Sequence, residues 1–103
     1  MLDLRPICEH CAKPLPPDST EAYICSFECT YCATCALKVL GGVCPACAGN
    51  FVPRPIRPKE DWTGHGATRE AYPATGKPKH HPVDVDAHAQ LLRRLADIHP
   101  HRR

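Results

Sequence analysis

A small metal-stabilised α+β fold, followed by an extended arm and a C-terminal helix, is what this sequence predicts. Three observations carry the expectation. Eight cysteines stand in the first 47 of 103 residues and none stands later. They fall as Cys8-x2-Cys11, Cys25-x3-Cys29-x2-Cys32-x2-Cys35 and Cys44-x2-Cys47. The apolar residues of the same stretch are few, chiefly Leu2, Leu4, Ile7, Leu15, Ile24, Phe27, Leu37, Leu40, Val43 and Phe51. A stretch of roughly 50 residues buries too little surface to offset chain entropy unless metal or disulfides help.

The compartment decides between those two aids. Met1-Leu2-Asp3-Leu4-Arg5-Pro6 has neither the basic start nor the apolar core of a secretory signal, and no apolar run reaches the length of a membrane span. The expected location is the cytosol, where thiols stay reduced and paired cysteines serve as metal ligands. A Cys-x2-Cys turn brings two thiolates onto one tetrahedral ion, at Zn–S distances of about 2.3 Å, and two such turns close a structural site. Eight cysteines therefore predict two zinc ions with four thiolates each. Each site supplies apparent binding energy of roughly 10–16 kcal/mol, most of it folding energy. Spacing alone leaves two pairings open. In the sequential one, Cys8, Cys11, Cys25 and Cys29 share an ion and the other four share the second. In the interleaved one, the first pair joins the third and the second joins the fourth.

The module is expected over residues 1–52, with short hairpins around the cysteine turns. Ala36-Leu37-Lys38-Val39-Leu40 suits a short helix at about 36–41, which Gly41-Gly42 would stop. Residues 53–83 read as a Pro-rich linker or arm, since Pro53, Pro55 and Pro58 block regular ladders and the rest is polar and Gly/Pro-punctuated. Residues 84–99 read as an amphipathic helix. Ala87, Leu91, Leu95 and Ile98 share one face, with His88, Arg93, Arg94 and Asp97 on the other. Asp84 or Asp86 suits its N-cap and Pro100 its end. Residues 100–103 form a basic tail.

The cysteine order resembles the RING-type finger, a treble-clef-like fold: a first Cys-x2-Cys, a loop, a spaced ligand pair, a second Cys-x2-Cys, a spacer and a final Cys-Pro-x-Cys, here Cys44-Pro45-Ala46-Cys47. Cys29 stands where that family usually has His. The resemblance implies a cross-brace, with Cys8, Cys11, Cys32 and Cys35 at site 1 and Cys25, Cys29, Cys44 and Cys47 at site 2. The central cysteine run is also similar to a LIM domain, which pairs sequentially. The loops here, thirteen residues after Cys11 and eight after Cys35, are shorter than LIM loops, which favours the cross-brace. Leu4-Arg5-Pro6, Leu15-Pro16-Pro17-Asp18-Ser19, the stretch from Ile24 to Thr30, and Arg54-Pro55 add a more specific likeness. Together with the last cysteine pair they resemble a family of short bacterial proteins catalogued only as a domain of unknown function. Ala46 and Ala48 stand where that family would lead one to expect Asn and Gly. The likeness spans residues 2–57 and implies no activity.

Charge divides the chain. Residues 1–50 carry three basic and five acidic side chains, and residues 51–103 carry ten and six. Eight thiolates around two divalent ions would bring the loaded module to about −6. That surface is unsuited to nucleic acid, which leaves the basic tail (Arg54, Arg57, Lys59, Arg93, Arg94, Arg102, Arg103) as the only candidate for it. The tail lacks aromatic interleaving, so nucleic acid is possible but not favoured. The residues do not favour the alternative of a ubiquitin-ligase-like scaffold. Where the RING family has an apolar residue after the first ligand this chain has Glu9, and Ala48 stands where a cation commonly follows the last ligand. His10 reads as a surface polar residue. His80, His81, His88, His99 and His101 read as a solvated tail before they read as metal ligands. Trp62 is as consistent with local packing as with anchoring the arm. No nucleophile–base arrangement is visible, so no catalytic residue is assigned. The expected function is protein–protein interaction on structural zinc, with Leu91, Leu95 and Ile98 as a candidate contact.

Overall fold

The computed structural model describes residues 1–74 and 76–103. Three short strands form its sheet: β1 (Ala22–Ile24), β2 (Thr30–Cys32) and β3 (Val52–Pro53). Their order is β2-β1-β3 and both pairings are antiparallel, with Tyr23 opposite Tyr31 and Ile24 opposite Val52. Pro53 is tolerated because β3 is an edge strand and the missing donor faces outward.

The chain reverses between β1 and β2 through Cys25–Cys29, where the Glu28 N–H donates to the Cys25 carbonyl at 3.0 Å. After β2 comes a short helix, as expected, but as a widened π-helical turn over Cys35–Val39. Its closing bonds run from Leu40 N–H to the Cys35 carbonyl and from Gly42 N–H to the Ala36 carbonyl, both 2.8 Å. Gly41 and Gly42 follow with φ of 60° and 76°, the left-handed conformation that ends a helix and suits glycine. Leu4, Leu15, Leu40, Ala36, Cys8 and Cys44 are fully buried. Tyr31 meets Phe51 edge-on, with ring centroids 5.5 Å apart.

No helix or strand interrupts the arm between Pro53 and Val85 among the described residues. Arg54 and Arg57 nevertheless fasten its start. Helix α1 (Val85–Leu95) then forms with Asp84 as N-cap, its carboxylate accepting from Ala87 N–H at 3.1 Å. It is shorter than the sequence suggests, because the chain turns after Leu95 ahead of Pro100.

Helix α1 docks on the module, and one side chain reverses its expected role. His88 is the buried residue of α1, while Ala87 is exposed and Leu91, Leu92 and Leu95 are half-buried. His88 belongs to the docked face because its ring makes a specific bond there: Nε2 donates to the Leu40 carbonyl at 2.8 Å. A Cβ on Gly41 would stand 3.2 Å from the Leu92 side chain, so the glycine also permits the helix's close approach. Trp62 is 85% exposed, which does not support an anchoring role among the described residues.

Candidate metal centre

Two groups of thiols gather in space, and they interleave along the sequence. Cys8, Cys11, Cys32 and Cys35 have all four sulfurs within 4.8 Å of one another. Cys25, Cys44 and Cys47 form the second group on the same criterion. The first pair therefore joins the third, and the sequential pairing does not occur. Cys29 is buried and interacts with Cys25 and Cys44, but it does not lie within that distance of all three members.

Local backbone explains why the sulfurs converge. In the first turn the Ala12 N–H returns to the Cys8 carbonyl at 3.0 Å, and in the last the Ala48 N–H returns to the Cys44 carbonyl at 2.8 Å. Both closures need a left-handed residue just past the second cysteine, and Ala12 (φ 64°) and Ala48 (φ 63°) supply it despite carrying a Cβ. Glu28 does the same (φ 66°) between Cys25 and Cys29. Free N–H groups are then aimed at sulfur: Phe27 at Cys25 Sγ and Gly49 at Cys47 Sγ, both 3.3 Å. Cys32 ends β2 and Cys35 opens the π-helical turn, so sheet and helix meet at the first group.

The donor set fits a tetrahedral thiophilic ion. Cys11 Sγ and Cys32 Sγ are 3.8 Å apart, and four thiolates at about 2.3 Å from one ion would have edges of about 3.8 Å. All eight cysteines are free of disulfides. Burial opposes ionisation of Cys8, but N–H donation from Cys11, Cys32 and His10 outweighs it and holds this thiol below its ordinary value. Cys25 behaves likewise, with burial overcome by the N–H groups of Phe27 and Cys29. Burial, reinforced by neighbouring thiols, pushes Cys11, Cys29 and Cys35 up, and burial also raises Cys44. Burial thus resists a second thiolate at Cys11 and Cys35 beside Cys8, and at Cys29 and Cys44 beside Cys25, which a divalent cation would relieve.

Several residues around the sites have roles that sequence reading missed. Glu9, taken only as a departure from an apolar pattern, is 3% exposed. It accepts from Thr30 N–H at 2.6 Å and from Arg5 at 2.9 Å. His10 gathers with neither thiol group, and it is not simply a surface residue: its Nδ1 accepts from Val83 N–H at 2.9 Å. Arg54 is buried and donates to the carbonyls of Arg5, Leu15 and Pro16, tying the N-terminal loop to the end of β3. Its presence in the Arg54-Pro55 motif was the available signal. Outside the two thiol groups, no three metal-binding side chains gather among the described residues, the tail histidines included.

No helix among the described residues is long and apolar enough to cross a membrane. No solved structure matches the chain. An uncharacterized protein of Rhizobium meliloti (strain 1021) is 62% identical over 58 residues, covering 56% of this chain and 69% of that protein. Residues 1–57, which hold every cysteine, match the family described as Protein of unknown function (DUF1272), and to that family the chain belongs.

Proposed function

We propose that the chain is a cytosolic zinc-binding protein–protein interaction module, in which two structural zinc ions hold a RING-like core and no catalysis takes place. Cys29 completes the second site with Cys25, Cys44 and Cys47, so each ion has four thiolates and no position for a substrate. The observation that carries the interaction reading is that the module already holds a peptide segment. The carbonyls of Glu9 and Leu40 and the ring of His10 accept hydrogen bonds from His81, His88 and Val83 of the same chain.

The engaged cations support a protein partner over a nucleic acid. Arg54 is buried, Arg57 donates to the carbonyls of Leu2 and Tyr72, and Arg103 donates to those of Ile98 and Ala48. These side chains are spent on the protein's own backbone.

The test has two steps. Protein purified without added metal should contain two zinc ions per chain and eight free thiols. Affinity capture from the native host should then retain a partner that a Cys29→Ser chain loses. One zinc ion, or none with oxidised cysteines, would sink the two-site module. Capture indifferent to Cys29→Ser would sink the interaction reading.

A further inference from the structure

The family match ends at residue 57, and the chain beyond it folds back over one face of the module. The approach is extended. Lys79 Nζ lies 3.7 Å from Glu9 Oε1 and the His80 ring contacts the His10 carbonyl at 3.1 Å. His81 N–H donates to the Glu9 carbonyl at 2.7 Å, and Val83 N–H to His10 Nδ1. Two successive odd-numbered residues thus present their N–H groups to the first cysteine turn, His81 to its backbone and Val83 to its His10 side chain. Asp84 then caps α1, which lands on Leu40 and Gly41.

The seating of this segment is incomplete. His88 Nε2 has the Leu40 carbonyl, but Nδ1 is buried without a partner, an unfavourable term in docking. The leucines of α1 are only half-buried. A cavity of ≈ 350 Å³ remains beneath, lined by Glu9, Tyr31, Pro45, Ala46, Ala87 and Leu91 among others. The face belongs to the part of the chain shared with the family, whereas its occupant lies outside that part.

We propose that this face is a peptide-docking groove, that residues 79–95 occupy it in cis as a displaceable strap, and that the partner in trans is a protein segment of the same chemistry. That segment is a cationic extended stretch followed by an acid-capped amphipathic helix. The cation faces the Glu9 carboxylate and a thiolate-rich module. The N–H groups of the extended stretch reach Glu9 and His10, and the apolar helix face fills the space α1 leaves open. The proposal rests on the interaction reading above and names where that interaction occurs.

Two measurements on the full-length, zinc-loaded chain test it. In hydrogen exchange, the amides of His81, Val83 and α1 should exchange at least about 100-fold faster than those of Leu40 and Cys44, as a separately opening unit does. Equal protection would make the strap part of the core and overturn the proposal. A full-length Leu91→Asp/Leu92→Asp chain, still holding two zinc ions, should bind a synthetic peptide of residues 77–99. Saturable NMR shifts should appear at Glu9, His10, Leu40 and Gly41, and a peptide with the same two aspartates should give none. A zinc-replete variant that ignores the wild-type peptide overturns the proposal, as does a wild-type dimer that exchanges tails, which would assign the groove to a second copy. If the variant loses its metal, the exchange measurement alone decides. Metal-dependent capture that persists when the peptide fails would remove the groove and leave the interaction reading standing.

Discussion

Glu9 and Thr30 are bonded to each other twice: the Glu9 N–H donates to the Thr30 carbonyl at 3.0 Å, and Glu9 Oε2 accepts the Thr30 N–H at 2.6 Å. The pair links the first cysteine turn to β2, and Arg5 neutralises the buried carboxylate. Glu9→Ala would leave the Thr30 N–H and the Arg5 guanidinium without that acceptor. The expected cost is about 2–4 kcal/mol in urea unfolding of the zinc-loaded protein, while Glu9→Gln, which keeps an acceptor and loses the charge, should cost about half as much.

Arg54 should not be replaceable by lysine. Its guanidinium reaches three backbone carbonyls, Arg5, Leu15 and Pro16, from one planar group, and an ammonium cannot span them. Arg54→Lys is expected to lower stability by about 1–3 kcal/mol and Arg54→Ala by more. Faster exchange of the Leu15 amide, whose bond to the Pro6 carbonyl closes the same loop, would report the damage locally.

Ala48→Gly should stabilise the protein. Ala48 sits at φ 63° with its N–H committed to Cys44, so relief of Cβ strain should exceed the added freedom of the unfolded chain. A gain of roughly 0.5–1 kcal/mol is expected in thermal unfolding, and Ala12→Gly should behave likewise. A loss at both positions would show that the left-handed closures are not strained.

Chelation should unfold the module rather than merely empty it. With most of its buried side chains gathered around the cysteines, residues 1–57 are expected to lack a core able to stand without the proposed ions. A strong chelator should collapse the amide dispersion of these residues in NMR spectra, and zinc should restore it.

The pH dependence should have opposite signs with and without metal. In the loaded protein protons compete with zinc for thiolates, so metal is released on acidification, readable with a zinc indicator dye. Without metal, Cys11, Cys29, Cys35 and Cys44 are raised above the ordinary value of 9.0 in the folded chain. Their contribution to stability is present below that value and lost as pH rises through it. Cys8 and Cys25, which are lowered, act in the opposite sense and below that value, so they do not offset the loss above it. Whatever structure survives metal removal should therefore weaken as pH rises above about 9.

The cysteine order made the metal-binding half of the fold legible, because ligand spacing is a local property. Helix α1 was legible for the same reason, and its cap was narrowed to Asp84 or Asp86, of which the structure uses Asp84. What stayed hidden were pairings set by the folded chain: Glu9 with Thr30, Arg54 with Leu15, His10 with Val83, His88 with Leu40. Each side chain is polar and, read by its neighbours in sequence, belongs at a surface. Only a partner brought from 21 to 73 residues away makes its burial favourable. His88 shows the cost of periodicity alone: the apolar stripe located the helix, but a hydrogen bond decided which side faced inward.

If each thiol group holds an ion as proposed, their interleaving would make metal supply an all-or-none matter for this chain. The loop that carries Cys25 to its group lies between two ligands of the other group, Cys11 and Cys32, so emptying one site frees the chain that positions the second. Singly loaded chains should be scarce in native mass spectra at limiting zinc. A cell short of the ion would then hold fewer complete molecules rather than many half-equipped ones, and the empty remainder would fall to proteolysis.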